Sequence, residues 1–193
     1  SYAYLLQLIA NLIVRSDFWR EWVLGMLEHQ DKENFLQVVL GHHCKDSNEF
    51  MNIKNQPFFR ILADSPPIDV VNRVLIYFID HLMLRLWHYE ITFIQSQADK
   101  PWFTSTNPVV VHNRTGRFEI FAKESEIYFP LSPSFLAYAH YKGSEDTENP
   151  LRTLETNKTH KATDEQNENL QKIIMNNTAD FLIIAGEFKF SKA

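Results

Sequence analysis

The hydrophobic period of this chain changes once, near residue 87, and that change constrains the fold more than any other feature of the sequence. Before it, apolar residues recur mostly every three or four positions; from Trp87 to about Tyr141 they recur at every second position in short runs. A helix shows one face at a period of 3.6 and a strand at a period of 2, so neither half suits the other's element. Helices first, then a sheet, then a closing helix and strand define an α+β class, with the helical half packed on a mostly antiparallel sheet. The 193 residues are expected to form a single domain, 1–193, helical over about 1–86 and sheet-rich over about 87–193.

Within the helical part, Tyr4, Leu5, Leu8, Ile9, Leu12 and Ile13 form one apolar stripe. Ser16 and Asp17 supply helix-start chemistry before Phe18, Trp19, Trp22, Val23 and Met26, and Asp31 does so for a helix stopped near Gly41. His42 to Pro57 is polar and aperiodic, which predicts mostly loop. Ser65-Pro66-Pro67 is a break, because proline lacks a donor and restricts its predecessor. Ile68 to Leu86 then reads as a long, central, buried helix.

In the second half, Trp87, Tyr89, Ile91 and Phe93 alternate with His88, Glu90 and Thr92 as a strand does. Further strands are expected at Trp102–Thr104, Val109–His112, Arg117–Ala122, Ile127–Leu131, Phe135–Tyr141 and Phe181–Ala185. Asn113 to Gly116 has turn chemistry, and Lys142 to Lys161 is expected to be an exposed excursion. Thr163 or Asp164 is placed to start a helix that runs to about Asn177.

Composition narrows the function classes. The net charge of −5 weighs against broad binding to a phosphate backbone, so nucleic acid is not expected as a partner of this chain alone. Five glycines and no G-x-G-x-x-G or Walker-type motif leave dinucleotide and P-loop readings without support. The lone Cys44 fits a reducing compartment, and no apolar run reaches the roughly 18–20 residues of a membrane span. The opening carries no signal-peptide pattern, which gives a cytoplasmic expectation. The chain starts at Ser1 without Met and is expected to be a fragment of a longer protein.

The segment Trp102-Phe103-Thr104-Ser105-Thr106-Asn107-Pro108-Val109-Val110 concentrates hydroxyls and an amide ahead of a φ-fixing proline. It resembles the Phe-Ile-Thr-Ser-Asp-Asn-Pro-Val signature of DUF4238, a bacterial family of unknown function. Arg15-Ser16, Trp87 and Phe129-Pro130-Leu131-Ser132-Pro133 are similar to further family features in the same order. Asn167, Asn169, Ala179 and Phe181-Leu182-Ile183 resemble its closing helix and strand. The resemblance spans about residues 5–185 and implies the fold and a bacterial origin. The family's N-terminal portion is absent, and Thr106 stands where the family has Asp, so any role of that carboxylate would be lost here.

Candidate site residues follow from side-chain chemistry. Thr104, Ser105, Thr106 and Asn107 offer donors and acceptors to a ligand, although such residues commonly bond to nearby backbone and simply hold a turn. His112 is close to this turn in sequence. His88 and Glu90 share one face of the expected strand and suit a general base or metal ligands, against the simpler expectation of a solvated face. His81, Arg85 and His88 would share a helical stripe if that helix continued. His42-His43-Cys44 with Asp46 and Glu49 has ligand types but no familiar zinc spacing. Glu124, Glu126, Glu145, Asp146 and Glu148 read as solvated loop charges. Neither metal nor cofactor is expected. The leading expectation is a binding module for a small molecule or protein; the alternative is a hydrolase, with nucleic acid as one candidate substrate.

Overall fold

The computed structural model describes residues 2–29, 32, 35, 45–112, 124–143, 149–177 and 182–184. Among the described residues five helices come first: α1 (Tyr2–Val14), α2 (Asp17–His29), α3 (Ser47–Lys54), α4 (Pro57–Asp64) and α5 (Pro67–Leu86). The strands β1 (Tyr89–Gln95), β2 (Thr104–Ser105), β3 (Val110–His112), β4 (Glu126–Ser132) and β5 (Phe135–Tyr141) follow. A 3-10 turn (Pro150–Thr153), β6 (Thr159–Lys161), α6 (Asp164–Asn176) and β7 (Leu182–Ile183) complete the described elements. The class is α+β, as the change of period requires. Among the described residues no helix is long and apolar enough to cross a membrane. The backbone divides into two compact units, residues 14–81 and residues 1–13 with 82–193.

In the unit of residues 14–81, α2 buries Trp19, Val23 and Leu27 and leaves Trp22 outward; the Trp19 ring meets Trp22 edge-on at 5.4 Å and Phe78 at 5.5 Å. The stretch expected as loop contains α3. Asp46 caps it by accepting from Asn48 N and Glu49 N, and Glu49 reaches back to Lys45 N. Helix α3 has no buried residue, so it lacked the apolar period by which helices are recognised. Pro57 and Pro67 each open a helix, where a missing N–H costs nothing. Helix α5 is one-sided rather than buried all round: Val70, Val71 and Val74 are buried while Ile68 and Ile76 are exposed. The helix expected between Asp31 and Gly41 lies largely outside the described residues.

In the other unit, α1 buries Leu6, Ile9, Ala10 and Ile13, spaced i, i+3, i+4 and i+7, and turns Tyr4 and Leu8 outward. The buried face is thus rotated from the expected stripe. The polar residues Gln7 and Asn11, on the outward side with Tyr4 and Leu8, were the signal for that face. Among the described residues five strands form a sheet in the order β3-β4-β5-β1-β6, antiparallel except for the parallel β1–β6 pair. Strands β4 and β5 make a hairpin whose turn is held by the Ser132 hydroxyl, which accepts from Ser134 N and Phe135 N. Pro130 lies beyond the β3 pairing and next to an irregularity in register, so its missing donor removes no ladder bond to β3. β2 and β7 form a separate two-stranded ribbon.

In the excursion expected over residues 142–161, the described residues are only partly exposed: they supply β6 to the sheet and bury Asn149 and Leu151. Helix α6 starts at a capping box in which Thr163 and Gln166 bond reciprocally to each other's backbone. Its Leu170 and Ile174 join Ile94, Trp102, Phe103, Val110, Tyr128, Leu136 and Tyr138 in one apolar cluster. Asn167, fully buried in this helix, accepts from Gln97 N and donates to Lys100 O, tying the loop after β1 to α6. The turn expected at 113–116 and the strand at 117–122 fall outside the described residues.

Candidate binding cleft

Register places four ionisable side chains in one cross-strand row: His112 on β3, Glu126 on β4, His140 on β5 and Glu90 on β1. The neighbouring row on the same face is Val110, Tyr128, Tyr138 and Thr92. Both tyrosine hydroxyls reach back to Glu126, Tyr128 at 2.6 Å and Tyr138 at 2.8 Å. Asn149 Nδ2 donates to both carboxylate oxygens at 2.9 Å, and Arg152 Nε donates to Oε1 at 2.8 Å. Asn149 can do this because its Oδ1 caps the 3-10 turn at Leu151 N, which fixes the amide plane. Arg152 also donates from Nη2 to Glu124 O.

Glu126 is therefore a buried carboxylate with a complete set of donors. Burial pushes its pKa up, but the hydrogen bonds from Tyr128, Arg152, Tyr138 and Asn149 outweigh that and hold it below the ordinary value. Burial, with the Glu126 charge, drives the Tyr128 and Tyr138 hydroxyls well above the ordinary tyrosine range, so both stay protonated as donors. His140 stacks on Tyr138 at 5.5 Å, and its Nε2 lies 3.8 Å from Glu90, too far for a hydrogen bond. Its Nδ1 is buried with no partner among the described residues. Burial, then the Arg152 charge, hold the His140 pKa below its ordinary value.

A cleft of about 210 Å³ opens beside this network. Glu126, Tyr128 and Asn149 form its inner end, His112, Gln166 and Asn169 its polar walls, and Pro150, Leu151, Leu170 and Ile173 its aliphatic lining. Glu126 anchors the inner end rather than serving as a free base, since its lone pairs are already engaged. The polar atoms still open to a ligand belong to His112, Asn169 and Gln166 Nε2; none has a hydrogen-bond partner among the described residues.

Of the residues expected from sequence, the structure brings His112 into the cleft and places Glu90 in the same cross-strand row. Thr104, Ser105, Thr106 and Asn107 line no part of the cleft. Thr104 and Ser105 form β2, the Ser105 hydroxyl donates to Asn107 O and accepts from Asn107 N, and Thr106 is exposed. That is a turn bonding to itself, while Thr104 Oγ1 is buried without a partner among the described residues. His88 is not on a strand. Helix α5 ends at Leu86 and β1 begins at Tyr89, leaving His88 in an exposed turn whose carbonyl accepts from Lys142 N. Nor is the β1 face solvated, since Thr92 is fully buried. Arg85 lies over the Tyr141 ring at 4.3 Å.

Glu126 corrects the reading of that carboxylate as a solvated loop charge: it opens a strand and is buried. The signal for it was Glu126 standing two residues before Tyr128, and His140 two after Tyr138, which puts polar groups on a core face. Glu124 is exposed; Glu145, Asp146 and Glu148, like His42, His43 and Cys44, lie outside the described residues. Among the described residues no group of three or more His, Cys, Asp or Glu is placed to hold a metal ion. No protein-family model matches the chain, and no curated protein or solved structure matches it significantly.

Proposed function

We propose that this chain is a small-ligand-binding module of an intracellular bacterial protein related to DUF4238, and that the ligand occupies the cleft between β4, the 3-10 turn and α6. The observation that carries this reading is the cleft's construction. A buried Glu126 network fixes one end, and the walls present side chains with unused hydrogen-bonding capacity. Preorganised polar groups on an aliphatic background are how small-molecule sites gain orientation as well as affinity. The family relationship rests on the sequence features around Thr104–Val109 and Pro130–Pro133.

Ligand-observed NMR tests the reading with a mixed panel of uncharged sugars, amino acids and nucleobases. Asn169→Trp is the control, because Asn169 is an exposed cleft residue whose enlargement obstructs the site without touching the Glu126 network. At least one class is expected to bind the wild type and to lose binding in Asn169→Trp, at unchanged melting temperature. Binding by no class, or binding indifferent to the obstruction, would contradict the proposal.

A further inference from the structure

The geometry points to a neutral heterocyclic amide, of the free-nucleobase class, as the ligand of the cleft; this inference rests on the cleft being the binding site. Charge is the first selector. Among the described residues, the one carboxylate in the cleft is matched by Arg152 and three neutral donors, and no Lys or Arg lines the walls. An ionic ligand would therefore lose its hydration without a counter-charge, whereas a neutral one loses far less.

Hydrogen-bond type is the second selector. Gln166 Oε1 is committed to the capping box through Thr163 N, so the part left for a ligand is its Nε2 donor pair. Asn169 offers a donor and an acceptor in one plane, and His112 offers one of each in its neutral form. Side-chain amides that present a donor beside an acceptor complement a ring carrying adjacent C=O and N–H groups. Size and lining are the third. About 210 Å³ lies below the roughly 300–1,000 Å³ of drug-sized sites, which suits a single ring system. Leu151, Leu170 and Ile173 give that ring's apolar surface somewhere to bury. A sugar, hydroxylated around its whole edge, would set several hydroxyls against these aliphatic groups.

Calorimetric titration with uracil, hypoxanthine, glucose and glycine, on the wild type, Gln166→Glu and Asn169→Asp, tests the inference. Gln166→Glu keeps the capping acceptor and replaces only the donor, so it separates recognition from helix stability. Uracil or hypoxanthine is expected to bind and to weaken at least tenfold in one or both variants, with unchanged melting temperatures and no binding of glucose or glycine. Binding of glucose or glycine in place of the bases, still lost in the variants, would overturn the ligand class and leave the cleft standing. Binding of a base unaffected by either variant, or binding of none of the four, would overturn the inference and remove the cleft as its site.

Discussion

Glu126→Gln keeps the shape of the side chain but turns one carboxylate oxygen into a donor facing donors, and it leaves Arg152 without its counter-charge. Both side chains of that pair are almost completely buried. Removing one partner of a buried pair costs about 3–5 kcal/mol, so the variant is expected to lose that much stability in chemical denaturation. A loss below about 1 kcal/mol, the value of an exposed pair, would show that the network does not hold the 3-10 turn. Acidification should act through two groups in separate windows. The His140 pKa is depressed, so the unfolded chain takes up its proton first; stability is full above the ordinary value of 6.5 and declines as pH falls toward the depressed one. The Glu126 pKa is depressed as well, so its contribution is full above 4.5 and is lost as pH falls through its folded value. His140→Phe is expected to flatten the upper window of a stability–pH profile and leave the lower one intact; an unchanged slope below 6.5 would contradict the assignment. At this scale the sequence was a poor guide. His112 and Glu90 were legible by residue type, but Glu126, Asn149 and Arg152 converge from positions 23–26 residues apart, through a register no local pattern displays.

Elements were read best where turn or cap chemistry marks their ends. Strand β5 appears at the expected bounds, Phe135–Tyr141, and α6 starts at its expected cap. Strand β6 was missed because Thr159–Lys161 has no apolar residue and is held by backbone pairing with β1. The cap of α6 positions Gln166 and Asn169 in the cleft, so Thr163→Ala is expected to cost about 1 kcal/mol of stability, as loss of a helix N-cap does. The turn after β5 needs Gly143 at φ +71°, where an added Cβ would meet no atom within 4 Å. Gly143→Ala should therefore cost about 1–2 kcal/mol through backbone conformation alone. A neutral substitution, measured by thermal melting, would mean that the turn relaxes into another conformation.

For the chain as a whole, a net charge of −5 opposes contact with a polyanion. Duplex DNA is expected to bind weakly at physiological salt, and a tight anisotropy titration there would return nucleic acid to consideration. The α+β class followed from one change of hydrophobic period, because class depends on which elements occur and in what order. The cleft did not follow, because it depends on which strands become neighbours. The central claim is that recognition belongs to this cleft and not to the Thr104–Asn107 turn. An amide-resolved NMR titration with uracil tests it most directly. The account predicts shifts concentrated at His112, Asn149, Leu151, Gln166 and Asn169, with the turn unmoved; shifts at Thr104–Asn107 and none in the cleft would contradict it.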